Sequence, residues 1–232
     1  MKKHSLPIAA VLIGIAVLPV ALAFYAEGPS VLLVTNSDGP GSKSTLAAME
    51  SLGWTVDSAQ WYEAVDFTAA DLAANFDVVW ILPPRDVDAL FKLNEAGGSL
   101  EAFVDVGGIV VSVGVNVPGS GLDIGVGGLD YQDDADAGAT TILESEHPFL
   151  TGLAGGGQSL SGTDLDPAGT GGGAYFFNPP AGSTLTDIAR NTAGTNICEY
   201  TYGQGTVIIS LLGLLEEGCL NNLLHYVGSL VQ

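Results

Sequence analysis

The chain has 232 residues, with 26 acidic side chains against six lysines and arginines, for a formal charge of −20. That length suffices for one α/β domain with a sizeable core. A field of that sign repels phosphate and excludes nucleic acid as an expected partner.

In chain order, the first element is a leader. Lys2, Lys3 and His4 form a positive start, an apolar run follows, and Ala21-Leu22-Ala23 supplies the small residues that a signal peptidase requires. We expect a signal peptide over residues 1–23 and a single domain over 24–232. The alternative is a retained anchor, which would need a longer run and a basic flank beyond it. Cleavage removes two lysines, takes the charge from −20 to about −22, and leaves Lys43, Arg85, Lys92 and Arg190 as the strong cations. The expected location is periplasmic or extracellular, with no membrane span after cleavage. In such an oxidising compartment the pair Cys198 and Cys219 reads first as a disulfide, with two buried thiols as the alternative. With no Cys-x-x-Cys and no Cys/His cluster, a structural zinc site has no support.

Ser30–Thr35 is an apolar, β-branched run and reads as a strand buried on both faces. Residues 44–52 carry Leu46, Met49 and Leu52 at helical spacing and stop at Gly53. Trp54–Val56 reads as a short second strand. Residues 67–74 read as a short helix with Thr68 as its N-cap. Phe76–Leu82 is a third buried strand, broken by Pro83-Pro84. Residues 86–94 and 99–106 read as helical turns, and Gly108–Val113 is a fourth buried strand. Strands alternating with helices at this spacing imply right-handed crossovers and a doubly wound, flavodoxin-like, mostly parallel sheet. After Gly114 the texture becomes loop-rich in Gly and Asp. Short strands are expected at 140–143, 174–177, 185–189, 197–201 and 206–210, the last two forming a hairpin around Gly203-Gln204-Gly205. A helix over 220–231 closes the chain.

The loop after the first strand has the outline of a phosphate-binding loop, because Lys43-Ser44 open a helix. Both diagnostic glycines are replaced, by Ser37 and Ser42, and no acid ends the third strand. ATP is therefore not expected. The sharpest acidic feature is Asp130, Asp133, Asp134 and Asp136. Its spacing offers three or four oxygen ligands from one loop, so calcium is the one cofactor it suggests, against a merely solvated loop. Asp164 and Asp166 form a weaker pair.

The order of features resembles the class I glutamine amidotransferase-like superfamily. The matching parts are VLLVTNSDG, FDVVWIL, LEAFVDVGGIVVSVG, SEHPFLTGL and YGQGTVIIS, followed by a C-terminal helix rich in Asn and Leu. The resemblance implies a flavodoxin-like sheet with its pocket at the carboxyl ends of the strands, where open sheets in general bind ligands. Catalytic branches place a Cys on a tight elbow after the strand that here is GIVVSV, with a His and a Glu later. Here the elbow reads Val113-Gly114-Val115-Asn116, and without a nucleophile there is no covalent step. The resemblance is therefore to a secreted branch lacking the catalytic cysteine.

The strand-end pocket would be built by Asn36, Ser37 and Asp38, by Pro84, Arg85 and Asp86, and by Gly114 and Asn116. These groups suit a hydroxylated or carboxylate ligand. Arg85 would anchor an anion, or else pair with Asp86 or Asp88 on the surface. His147, beside Glu146, offers a general base, but His-Pro before a Gly-Leu turn also suits a capping or bridging role. The leading expectation is an exported, non-catalytic binding or interaction module for a small polar ligand or a protein. The alternatives are a secreted hydrolase using a carboxylate and His147, metal-assisted or not, and a protein that docks or self-assembles.

Overall fold

The computed structural model describes residues 28–35, 40–60, 63, 66–82, 97–114, 126–133, 138–169, 173–214 and 216–231. The elements run β1 (Ser30–Thr35), α1 (Pro40–Ser51), β2 (Thr55–Gln60), α2 (Ala69–Asn75), β3 (Val78–Ile81), α3 (Gly97–Asp105) and β4 (Ile109–Ser112). The second half adds β5 (Asp130–Asp133), β6 (Thr141–Ile142), α4 (Pro148–Thr151), α5 (Gly162–Leu165), β7 (Ala174–Phe177), β8 (Leu185–Arg190), β9 (Thr195–Tyr202), β10 (Gly205–Ser210) and α6 (Glu217–Leu230).

One sheet carries the order β2-β1-β3-β4-β10-β9-β7-β5, with β8 paired to β9 and β6 paired to β8. The pairs β1–β2, β1–β3, β3–β4 and β4–β10 are parallel, and β9, β7, β5, β8 and β6 extend the sheet by antiparallel pairing. Chain direction reverses its walk between β1 and β3, as in a doubly wound flavodoxin-like sheet. The cause is visible in the strands. In β1, Leu32 and Val34 join one core and Val31 and Leu33 the other, all at most 2 % exposed. A strand that is apolar at every position must be covered on both faces. Leu72 and Phe76 of the α2 region and Phe103 and Val104 of α3 cover the first. Met49 of α1, Phe149 and Leu150 of α4, Leu165 of α5 and Leu223, Leu224 and Val227 of α6 cover the second.

Local chemistry sets the element ends. Thr68 caps α2 in a capping box: its side chain accepts from the Asp71 N–H, and the Asp71 carboxylate accepts from the Thr68 N–H and hydroxyl. After α1, Gly53 takes φ +77°, the left-handed geometry that ends a helix at glycine without strain. The β9–β10 hairpin closes through Gly203-Gln204, with Tyr202 facing Gly205.

Three expectations change. The second strand is longer than Trp54–Val56, because β2 is an edge strand whose hydrogen bonds come from β1 and whose exposed face tolerates Asp57 and Ser58. Asp130 and Asp133 lie not in a loop but in β5, antiparallel to β7. Cys198 and Cys219 form no disulfide: both are free and buried, Cys198 in the core on one face of the sheet and Cys219 in the core on the other. The sheet stands between them, so the close approach that a disulfide demands is not available. The leader, residues 1–23, and the turns expected at 86–94 lie outside the described residues.

Candidate functional site

The parallel strands deliver their carboxyl ends to one edge. Leu82 N–H donates to Val34 O at 3.0 Å, Val113 N–H to Ile81 O at 3.2 Å and Gly114 N–H to Leu212 O at 2.9 Å. These bonds tie the exits of β1, β3, β4 and β10 into one rim. Gly114, at the exit of β4, sits at φ +68°, a left-handed conformation that glycine takes without strain. On the same rim, the Ser44 and Thr45 hydroxyls both donate to Gly41 O, at 3.0 and 2.9 Å. Beyond β10, a buried polar group closes the rim: Asn196 Nδ2 donates to Thr140 Oγ1 at 2.7 Å, and Thr140 N–H and hydroxyl donate to Asp166. Leu211 N–H donates to Asn196 O, which puts this group beside the β10 exit. No local pattern marked Thr140 or Asn196, since their partners are distant in sequence.

Asn36, Asp38, Arg85, Asp86 and Asn116 lie outside the described residues, as do Asp134 and Asp136. Asp130 is described, and its carboxylate accepts from Asn178 Nδ2 at 2.9 Å across the β5–β7 pair. Among the described residues no group of three or more His, Cys, Asp or Glu side chains converges as metal ligands would. Asp164 caps α5 with Ser161, and Asp166 is buried under Thr140. The two do not act as a pair.

His147 is the N-cap of α4. Its Nδ1 accepts from Phe149 N–H at 3.3 Å, Pro148 occupies the first helical position, and Gly152 ends the turn at φ +68°. Its Nε2 lies 3.7 Å from Glu199 Oε2, and Tyr226 donates its hydroxyl to the same oxygen at 2.5 Å. The Tyr226 ring meets the imidazole edge-on at 4.8 Å. Burial, then the hydrogen bond to Glu199, drive the Tyr226 phenol well above its ordinary range. Glu146, the sequence neighbour, is exposed. The carboxylate that meets His147 is Glu199, from the middle of β9, where nothing local predicts it.

The segment after α4 is strapped to α6 by consecutive asparagines. Asn222 Nδ2 donates to Phe149 O and Gln158 O at 2.9 and 2.6 Å, and Asn221 Nδ2 to Gly156 O at 2.8 Å. A Cβ on Gly156 would fall 2.6 Å from Asn222 Cα, so only glycine permits this approach. Two open grooves flank the strap. One, of about 690 Å³, lies between α1 and α6 and includes Ser44, Ser51, Gln158, Glu217 and Asn221 in its lining. The other, of about 350 Å³, shares Gln158 and Gly218 and reaches Asp164 and Cys219. Neither thiol is poised for chemistry. Burial, with Asp164 and Glu216 nearby, pushes Cys219 up to about 11, and burial with Asp187 and Glu199 raises Cys198 further.

No family model matches the chain, and no curated protein sequence matches it. Solved structures do. The cytoplasmic protein STM1381 from Salmonella typhimurium LT2 superposes with a TM-score of 0.56 at 12% identity, over 88% of this chain and 100% of its own. The cytoplasmic protein STM3548 from Salmonella typhimurium gives 0.51 at 13%, over 84% and 97%. A protein from Thermoplasma acidophilum, described provisionally as a GMP synthase component, gives 0.55 at 11%, over 88% and 94%. The fold is therefore a mixed α/β, flavodoxin-like architecture that these proteins share. At these identities the likeness is one of fold.

Proposed function

We propose that this chain is a non-catalytic binding module on an amidotransferase-like scaffold, exported by its leader, whose ligand is small and polar or a protein. The observation that carries the reading is the state of the thiols. The chain has two cysteines, both buried and both raised in proton affinity, one on each face of the sheet and neither at the Gly114 elbow. Thiolate chemistry at the strand ends has no group to perform it. The ligand site in this reading is the strand-end rim, completed by Asn36, Asp38, Arg85, Asp86 and Asn116.

The rival, a hydrolase using His147 and a carboxylate, draws on the contact between His147 and Glu199. Against it, the imidazole nitrogen that a general base would use is engaged in capping α4.

The test has two arms. The melting temperature of residues 24–232 is measured against calcium, zinc, magnesium-ATP, sugars and amino acids, and ammonia release from glutamine is assayed alongside. A ligand bound by the native state raises the midpoint, by about 2.7 kcal/mol of stability at a hundredfold excess over Kd. The expected result is a shift with a sugar or amino acid, lost in Arg85→Ala, and no ammonia. Glutamine turnover abolished by His147→Ala would establish the hydrolase instead. A shift with calcium alone would move the site to the segment around Asp130. No shift with any ligand would leave a protein partner or self-assembly, read by size-exclusion mass at several salt concentrations.

A further inference from the structure

The contact of His147, Glu199 and Tyr226 joins three elements, and its hydrogen bonds assign the histidine tautomer. Nδ1 accepts from Phe149 N–H, so it carries no proton, and the ring proton sits on Nε2, facing Glu199. A second proton can enter only at Nδ1. It would convert the acceptor of the α4 cap into a donor pointed at another donor. The same proton gives the ring a charge 3.7 Å from Glu199 Oε2. The two nitrogens therefore pull in opposite directions: neutral imidazole holds the cap, and imidazolium favours the carboxylate.

We propose that His147 is a proton-operated latch, capping α4 when neutral and releasing it to engage Glu199 when protonated. The groups facing the ring are known from each side. Glu199 comes from β9 and Tyr226 from α6. The neighbours of Glu199 on β8 and β10, Thr186 and Ile208, are uncharged. Glu144 and Glu146 precede His147 in the chain and are exposed, and His225, next along α6, lies against Gly155. The Tyr226 hydroxyl already donates to Glu199, so that carboxylate stays an acceptor for the imidazolium. Release at His147 reaches the turn whose carbonyls Asn221 and Asn222 hold, and thence Gln158, which lines both grooves. Imidazole is the side chain whose ordinary charge change falls between roughly pH 5 and 8, and that interval sets the range of the test.

The test is amide hydrogen exchange at Phe149, normalised for intrinsic pH dependence and referenced to Ile208 in β10. Between pH 8 and pH 5 the protection of Phe149 is expected to fall about fivefold, the cost of losing one N-cap. In His147→Asn, which caps without titrating, the fall is expected to disappear. Unchanged Phe149 protection in the wild type, or the same fall in His147→Asn, would overturn the proposal. Should that variant not fold, the ring nitrogens of the wild type decide. Nδ1 unprotonated at pH 8, and gaining its proton in step with the loss at Phe149, supports the latch. Nδ1 already protonated at pH 8 defeats it.

Discussion

The buried thiols give a residue-scale prediction. Cys219 has an ordinary value of 9.0 and is pushed up to about 11 in the fold. As pH rises, the unfolded chain loses its thiol protons first, so folding stability is full below 9.0 and drains as pH climbs through about 11. Chemical denaturation at pH 8 and pH 11 should differ by roughly 2 kcal/mol from this source, and the difference should shrink in Cys219→Ala. A thiol reagent should label both cysteines only at the rate of unfolding; rapid labelling of the native chain would show the burial to be wrong. The acids behave oppositely. Asp71 and Asp164 are lowered below 3.8 by the hydroxyl and backbone N–H of their capping partners, Thr68 and Ser161. Their contribution is present above 3.8 and is lost as pH falls through the lowered values. NMR titration should place both midpoints under 3.8, and Thr68→Ala should return that of Asp71 towards it.

At the scale of elements, the strap between α6 and the segment after α4 orders the asparagines. Asn222 is 1 % exposed and satisfies two carbonyls that would otherwise be orphaned, whereas Asn221 is half-buried and satisfies one. Asn222→Ala should cost about 1–3 kcal/mol in urea denaturation and Asn221→Ala under about 1. Equal costs would mean that the strap does not hold the segment. What the sequence disclosed divides along similar physical lines. β1, β3 and β4 were legible because strands buried on both faces must be apolar throughout, and β7 because AYFF can be little else. β5 was not, since DYQD sends only Tyr131 fully into the core and its polar remainder resembles a cation loop. The turn at His147 was legible from His-Pro and Gly152, which are local. Its contacts with Glu199 and Tyr226 were not, because tertiary packing of α4, α6 and β9 on one face of the sheet brings them together. Asn36, Arg85 and Asn116 were chosen by the strand-end rule and lie outside the described residues.

For the whole molecule, separation of the cysteines by the sheet means that covalent stapling contributes nothing to its stability. Strong reductant should leave the melting temperature unchanged; a drop of several degrees would restore the disulfide reading. The two apolar layers suffice in its place. The position of β9 between β8 and β10 bears on how the chain finds this state. β8, β9 and β10 follow one another with short turns, so their contacts close small loops, whereas joining Thr206 of β10 to Ile109 of β4 closes a loop spanning nearly half the chain. Local pairing is kinetically favoured over distant pairing. The three-stranded meander should therefore assemble first and serve as the template on which β4, β3, β1 and β2 dock in turn. Ile197→Val in β9 should slow folding with a φ-value near one, while Val31→Ala in β1 should mainly hasten unfolding.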